Sequence, residues 1–161
     1  MSWELMLAET AEETGWGQHV LPGTNNLYNI LADRNWKGSK KWFWAPEYDR
    51  MDKRWESKHE PFRVYASYVE SVRDRVTFLR ENPRYRAAGI FKNGAKGDLV
   101  SEANALQKAG YATDGRYAQK LISTFRGRTM QLAIREAQAR EAAKSGQSGA
   151  SRLSLSAASV R

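Results

Sequence analysis

The sequence contains no cysteine and only two histidines, His19 and His59. Without cysteine the chain has no disulfide scaffold, no thiolate zinc site and no cysteine nucleophile. The histidines do not form an HExxH pair, and no serine–histidine–aspartate grouping is visible locally. These absences leave carboxylates, tyrosines and lysines for catalysis, and we expect neither a metal ion nor a cofactor.

Long apolar runs are also missing near the N-terminus. The first residues, MSWELMLAETAEE, are acidic, so we expect neither a signal peptide nor insertion into a membrane. The protein is therefore expected to be made in the cytoplasm, and a substrate outside it would require another carrier. A length of 161 residues suits one folded domain with a tail.

Positive charge is in excess, with a formal net charge of +8. Such a surface favours polyanions, which include nucleic acid, anionic membranes and the acidic polymers of a bacterial envelope. Lysine and arginine alternate with aspartate and glutamate in most segments, and no binding stripe is evident. We therefore expect no specific nucleic-acid partner and favour a basic surface suited to an anionic envelope.

The first third of the chain predicts a helix followed by a β region. Trp3, Leu7 and Ala11 recur at helical spacing over residues 3–13, and Gly15 supplies the end of that helix. Residues 40–65 are aromatic and interrupted by a polar turn, which predicts an antiparallel hairpin of two or three strands. Pro46 fits an edge strand or a bulge of this hairpin.

The remaining chain is predicted to be helical. We expect helices over 98–109 and after Asp114, which can cap the second of them. One domain is predicted over residues 1–127, a helical extension over 128–144 and a flexible Ser/Gly/Ala-rich tail over 145–161. A further helix, which precedes residue 98, is predicted to end at Asn82. Its apolar stripe comprises Tyr65, Tyr68, Val69, Val72, Val76 and Leu79.

Glu13 lies in the last turn of the first predicted helix. The partial negative charge of a helix C-terminus and desolvation by Trp16 and Met6 would both raise its carboxyl pKa. A carboxylic acid that stays protonated near neutral pH can act as the general acid of a glycosidase. The alternative is a solvated surface glutamate, which is the commoner case when position alone is considered.

Glu47 lies in the predicted hairpin, within WAPEY. Paired carboxylates on opposite walls of a cleft are typical of glycoside hydrolysis, whereas an exposed strand glutamate paired with lysine or arginine is the alternative. About half of the candidate aromatic residues are expected to pack in the core rather than stack on sugar rings. These candidates are Trp16, Tyr28, Trp36, Trp42, Trp44, Tyr111 and Tyr117.

Several segments occur together in a characteristic order: AEETGWG (11–17), NNLYNI (25–30), NWKG (35–38), APEY (45–48), FRVYASYVESVRD (62–74), NPRY (82–85) and ALQKAGYATDGRYAQKL (105–121). On these segments the chain resembles glycoside hydrolase family 73, a glucosaminidase domain, over roughly residues 3–125. The resemblance implies an α+β, lysozyme-like fold, with a mainly helical body and a small antiparallel β-lobe. It also implies hydrolysis of the β-1,4 bond after N-acetylglucosamine in peptidoglycan.

The resemblance also implies roles for individual residues. Glu13 corresponds to the catalytic acid, and Glu47 to the β-lobe carboxylate that activates water or stabilises the oxocarbenium-like state. Tyr111 corresponds to an active-site tyrosine, on a turn beside Gly110. Asn29 stands where the family usually has glycine. Substrate contacts are expected from Trp16, Asn26, Tyr28, Trp36 and Tyr117.

Two kinds of function follow from this resemblance. The first is a phage-encoded hydrolase that cuts glycan strands in the periplasm or cell wall, either during genome entry as a virion protein or at lysis. A bacterial flagellar or autolysin origin is less expected. The second is a structural tail or virion protein that keeps the lysozyme-like fold with weak or lost catalysis. In either case we expect the C-terminal segment to dock onto neighbouring virion or tail proteins.

Overall fold

The computed structural model describes residues 1–49, 54–94 and 96–157, without the side chains of 47–49 and 146–157. This part of the chain contains six helices and one two-stranded antiparallel sheet, which confirms the predicted α+β class. The elements are α1 (Trp3–Thr14), β1 (Lys40–Asp49), β2 (Arg54–Arg63), α2 (Tyr68–Glu81), α3 (Pro83–Ala88), α4 (Leu99–Lys108), α5 (Tyr117–Arg126) and α6 (Arg128–Ala157).

Helix α1 has the ends that the sequence predicts. The Ser2 side chain accepts a hydrogen bond from the amide of Leu5, and Gly15 adopts a left-handed conformation that ends the helix. The predicted inner face is only partly right, because Ala11 is buried whereas Trp3 and Leu7 are exposed. The buried face instead carries Leu5, Met6, Ala8, Glu9 and Ala11. It includes a charged residue, which apolar periodicity does not count.

The hairpin consists of two strands in continuous register, from the Lys40–Arg63 pair to the Asp49–Arg54 pair. Pro46 faces Ser57 in this ladder, at an edge of the sheet as predicted. A bridge between Leu31 and Phe62 attaches the preceding segment to the base of the hairpin. The polar turn predicted between the strands lies mostly outside the described residues.

Helix α2 ends at Asn82 as predicted, and Asn82 also caps the short helix α3. The predicted apolar stripe of α2 is only partly right. Tyr68 and Val69 are exposed, whereas the buried positions are Ser71, Arg75 and Leu79. As in α1, an ionic residue occupies a position that hydrophobic periodicity would assign to an apolar side chain.

Helices α4 and α5 follow the prediction closely. The Asp98 carboxylate accepts a hydrogen bond from the amide of Ser101 and begins α4. Asp114 precedes α5, with its side chain accepting from the amide of Arg116. The largest side chains fully buried in the fold are Arg75, Tyr85, Leu5, Leu79, Ile90, Leu106 and Leu121.

The chain divides into two compact units, Met1–Thr124 and Phe125–Arg161. The second unit is mostly α6, whose backbone remains helical to Ala157 and so passes the predicted start of an irregular tail at Ser145. Helical hydrogen bonds are local, so this continuation does not require large apolar side chains. Among the described helices, none has the length and apolarity needed to cross a bilayer.

Candidate active site

A cleft of about 500 Å³ opens between the end of α1 and the hairpin. Glu13 lies on its helical wall, and Glu60 lies on its hairpin wall, two residues before the buried Phe62. The cleft thus has carboxylates on two different elements. The full lining comprises Glu13, His19, Leu21, Asn29, Leu31, Phe43, Trp44, Ala45, Pro46, Glu60 and Phe62.

The turn after Glu13 reverses the chain within three residues. Gly15, Trp16 and Gly17 all have positive φ, at 53°, 60° and 87°. Such values suit glycine and are uncommon for other residues. A Cβ on Gly15 would also lie 2.5 Å from the His19 ring. The turn therefore requires glycine at position 15, and it ends α1 at Thr14, one residue after Glu13, while leaving Trp16 exposed.

Asn29 fastens a neighbouring loop to the end of α1. Its Nδ2 donates to the carbonyl oxygen of Glu13 at 3.1 Å, and its φ is +48°. Asparagine is one of the few non-glycine residues that adopt this conformation readily. It can therefore stand where the family has glycine, and it contributes a side chain to the cleft that glycine would lack.

The carboxyl of Glu13 is partly buried, and its pKa is raised to about 7. Loss of solvation is the largest cause, and the charge of Glu9 adds to it. Arg75 and Lys120 act in the opposite direction, while Glu12 raises the pKa slightly further. A substantial fraction of Glu13 therefore carries a proton at neutral pH.

A buried polar cluster lies close to Glu13. Arg75 binds the carboxylate of Glu9 through Nη2–Oε1 at 2.5 Å and Nε–Oε2 at 3.3 Å, and neither side chain is exposed. The Arg75 guanidinium lies 4.4 Å from the ring centre of Tyr111. Burial is the largest cause of the raised pKa of the Tyr111 hydroxyl; the charge of Arg75 lowers this pKa, and the charges of Glu9 and Glu13 raise it.

Tyr111 lies on a turn after Gly110, as the sequence predicts, and is partly buried. Its ring packs 5.5 Å from that of Tyr117 and 6.1 Å from that of Tyr85. Tyr111 is not among the residues that line the 500 Å³ cleft. Tyr117, predicted to bind substrate, is itself buried, and its hydroxyl has no hydrogen-bond partner within the described residues.

Two other predicted substrate contacts have a different role in the structure. Asn26 is fully buried; its amide donates to the carbonyls of Ile30 and Arg63 and accepts from the amide of Ile30. Tyr28 is 2% exposed, and its hydroxyl accepts from Thr10. Both side chains are buried in this conformation: Asn26 joins its loop to the end of β2, and Tyr28 joins the same loop to α1.

Trp36, another predicted contact, lies away from Glu13. It lines a separate cavity of about 520 Å³. Its ring packs under the guanidinium of Arg63 at 4.5 Å, and its Nε1 donates to the carbonyl of Ser39. Arg63 in turn binds Asp74 on α2 at 2.8 Å. Trp36 therefore belongs to the contacts that join the base of the hairpin to α2.

Glu47 lies in β1, where its backbone pairs with that of Glu56. Its side chain is outside the described part of the structure, so its proposed catalytic role stays a prediction. Glu60 was not predicted from the sequence. Strand alternation was the available signal, since Glu60 pairs with Phe43 and precedes Phe62 by two residues on the same face.

The Glu9–Arg75 pair was not predicted from the sequence either. Arg75 lies inside the apolar stripe of α2, between Val72 and Leu79, which was a local signal that its charge has a buried partner. Among the described residues, no group of three or more histidine, aspartate or glutamate side chains is arranged to hold a metal ion.

Comparison with known proteins agrees with this geometry. The family described as mannosyl-glycoprotein endo-beta-N-acetylglucosaminidase matches residues 1–129. The peptidoglycan hydrolase FlgJ of Vibrio parahaemolyticus is 41% identical over 122 residues, which cover 73% of this chain and 38% of that protein. FlgJ of Escherichia coli K12 is 42% identical over 125 residues, covering 74% and 37%. The chain thus spans less than two-fifths of these relatives.

Solved structures give the same result. A peptidoglycan hydrolase mutant from Sphingomonas sp. A1 superposes with a TM-score of 0.69 at 31% identity, covering 82% of this chain and 84% of that one. The glycoside hydrolase domain of FlgJ from Salmonella typhimurium superposes with a TM-score of 0.63 at 30% identity, covering 92% and 85%. The family match and these superpositions together establish that the chain belongs to the glucosaminidase family of glycoside hydrolases and has its lysozyme-like α+β fold.

Proposed function

We propose that this protein hydrolyses peptidoglycan at the β-1,4 bond after N-acetylglucosamine, with Glu13 as the proton donor. The observation that carries the proposal is a partly buried carboxyl with a pKa of about 7 on the wall of an open cleft. A general acid is most effective when its pKa lies near the working pH. The relatives named above, which are peptidoglycan hydrolases, support this choice of substrate.

The chemistry needs one acid and one carboxylate. The protonated Glu13 transfers its proton to the bridging oxygen while the bond from that oxygen to the anomeric carbon breaks. The positive charge that develops on the sugar is stabilised by a carboxylate of the hairpin wall. Water then adds to the anomeric carbon and gives its proton to a carboxylate. The resemblance assigns Glu47 to the carboxylate that stabilises this charge or activates the water. Glu60 is a second hairpin glutamate, and it lines the cleft.

The cleft suits a polymer of sugars. Its hairpin wall presents the ring of Phe43, which can cover the apolar face of a sugar, while Asn29 and His19 offer polar groups. The formal charge of +8 favours approach to an anionic cell wall. These features support binding of a glycan strand along the hairpin.

Mass spectrometry of peptidoglycan digested with the purified protein tests the proposal. Fragments with N-acetylglucosamine at the reducing end are expected. Fragments with N-acetylmuramic acid at the reducing end would instead identify a muramidase and would exclude the proposed bond. A Glu13→Gln preparation, examined in parallel, controls for contaminating hydrolases.

The biological setting stays a prediction from the sequence. We propose action at the bacterial cell wall, with a virion as carrier and the C-terminal segment as the attachment to it. The relatives reported above come from bacteria and do not support the virion setting. They also do not support the alternative of a structural protein without catalysis, since they are named as hydrolases.

A further inference from the structure

The buried pair Glu9–Arg75 lies next to the proposed proton donor but outside the cleft lining. We propose that Arg75, held by Glu9, is a positioning residue that fixes the ring of Tyr111 and sets the charge environment of Glu13. This inference rests on the proposed function, because its kinetic consequences require that Glu13 acts as the acid. Its electrostatic half can be measured without any substrate.

The planar guanidinium of Arg75 contacts residues from three different segments of the chain. Glu9 on α1 fixes the guanidinium through two hydrogen bonds, at 2.5 and 3.3 Å. The same guanidinium covers Tyr111 at 4.4 Å and lies 5.7 Å from the ring of Tyr28. Its Nη1 is buried without a partner among the described residues. The ring of Tyr111 is therefore held in place by a group that Glu9 orients.

Stability alone does not account for this pair. Removing two charges from water is costly, and well-packed apolar residues of similar size often stabilise a core equally well or better. The surroundings already contain large apolar groups, since Phe78 and Tyr85 pack against each other with ring centres 6.0 Å apart. A charge pair at this place therefore calls for a role that an apolar pair would not provide.

The spacing of Glu9 and Glu13 along α1 indicates what that role is. Glu9 precedes Glu13 by four residues, so the two carboxyls lie on the same face of the helix, one turn apart. Glu9 opposes ionisation of Glu13, and Arg75 favours it, so the pair balances two opposite influences on the acid. The titratable and charged groups around Glu13 are Glu9, Glu12, His19, Tyr28, Glu60, Arg75, Tyr111, Tyr117 and Lys120.

Substitution of Glu9 tests the charge balance. Glu9→Gln removes a negative charge while Arg75 stays positive, because arginine does not deprotonate in proteins. The pKa of Glu13 should then fall by about one pH unit. The basic limb of the pH–kcat/KM profile, where Glu13 loses its proton, should move to lower pH by the same amount. A folded Glu9→Gln protein with an unmoved basic limb would overturn the proposal.

Substitution of Arg75 tests the positioning of Tyr111. Arg75→Lys keeps the positive charge but loses the planar group over the ring. We expect kcat to fall about tenfold, with KM and the basic limb unchanged. In a double-mutant cycle, Arg75→Lys and Tyr111→Phe should be non-additive, because both act through the same ring. Additive losses in kcat would contradict the positioning role.

An apolar double variant covers the case in which a single variant does not fold. Glu9→Leu/Arg75→Met replaces the pair by residues of similar size without leaving a buried charge. It should fold, keep the basic limb near that of the wild type and lose about as much kcat as Arg75→Lys. A folded double variant with wild-type kcat would show that the pair is structural only.

A titration by NMR separates this inference from the proposed function. Carbon-13 labelling of glutamate carboxyls reports the protonation of Glu13 in the full chain without substrate. If the wild type leaves peptidoglycan intact, the proposed function fails, and the Glu13 titration still decides whether Glu9 and Arg75 set its pKa. If the wild type cleaves peptidoglycan but Glu9→Gln leaves that titration unchanged, only the inference fails.

Discussion

One wall of the cleft is the end of helix α1, and the other is the β1–β2 hairpin. Behind the α1 wall lie Glu9 and Arg75, both fully buried, and the rings of Tyr111 and Tyr117. The hairpin is a sheet of only two strands. Its Trp44 and Trp55 are 71% and 70% exposed. The desolvated wall can hold a proton on a carboxyl, whereas the solvated wall offers aromatic surface to a ligand.

The hairpin has little packing of its own. The ring centres of Trp42 and Trp44 lie 5.2 and 5.0 Å from that of His59, on one face of the hairpin. Both indoles remain at least half exposed there. On the other face, Phe43 packs against Phe62 with ring centres 6.0 Å apart. Among the hairpin residues that the structure describes, the buried ones are Phe62 and Arg63, at its base. This difference predicts that changes in the α1 wall act on kcat, whereas changes in the aromatic residues of the hairpin act on KM.

The largest effect should come from Glu13→Gln, which keeps the shape of the side chain but removes its transferable proton. General acid catalysis is worth about 100- to 10,000-fold, and we expect a loss of kcat in this range with the fold intact. The matched control is Glu12→Gln, which removes the neighbouring carboxylate that binds Lys120 at 2.6 Å. It should change activity by only a few-fold. Wild-type turnover by a folded Glu13→Gln protein would exclude Glu13 as the acid.

The same substitution should change how stability depends on pH. The pKa of Glu13 rises from 4.5 to about 7 on folding, so the unfolded chain releases this proton first as the pH increases. Glu13 therefore lowers the free energy of unfolding between pH 4.5 and about 7, by about 3 kcal/mol in total. Glu13→Gln should match the wild type in denaturant titrations at pH 4 and be more stable at pH 8. An equal difference at both pH values would show that the Glu13 pKa is not raised.

A smaller effect is expected on the hairpin wall. Phe43→Ala should raise KM roughly two- to tenfold with little change in kcat, because an aromatic contact contributes about 0.5–1.5 kcal/mol. Trp42→Ala is the matched control, since Trp42 lies on the opposite face of the same strand and does not line the cleft. Steady-state kinetics on soluble glycan fragments measure both constants. An equal rise in KM for the two variants would show that Phe43 has no special role in binding.

The smallest effect on catalysis should come from removing the C-terminal segment. The family match ends at residue 129, and all lining residues of the cleft belong to the unit Met1–Thr124. A chain truncated after Gly127 should therefore keep its glycosidase activity within about twofold and lose the proposed attachment to particles. An inactive or unfolded product would show that the segment belongs to the catalytic domain.

Local backbone chemistry explains why much of the fold was predictable. Gly15 and Gly110 have positive φ at helix ends, and Asn82 is followed by proline, so these boundaries depend on residues close in sequence. The hairpin likewise follows from its aromatic residues and polar turn. The inner faces of α1 and α2 were not predictable in the same way, because Glu9 and Arg75 compensate each other across 66 residues.

The prediction of site residues was limited in the same way, because it used local sequence and not long-range contacts. A family motif contains both residues that meet the substrate and residues that hold the site in shape, and sequence does not separate them. Asn26 and Tyr28 occur in such a motif, yet their side chains are buried and form structural hydrogen bonds. Glu60 lies outside every motif of the family resemblance and still lines the cleft. Burial and strand register, which distinguish these cases, depend on contacts between distant segments.

By itself, the sequence determined the order and ends of most elements and the position of Glu13 at the end of a helix, because caps, glycine turns and periodicity are local. Only the tertiary structure decided that the Glu13 carboxyl is partly desolvated, that Glu60 lies on the opposite wall and that a buried ion pair lies near the acid. These properties depend on solvent exclusion and on charges brought together by folding. Neighbours in sequence do not specify either of them.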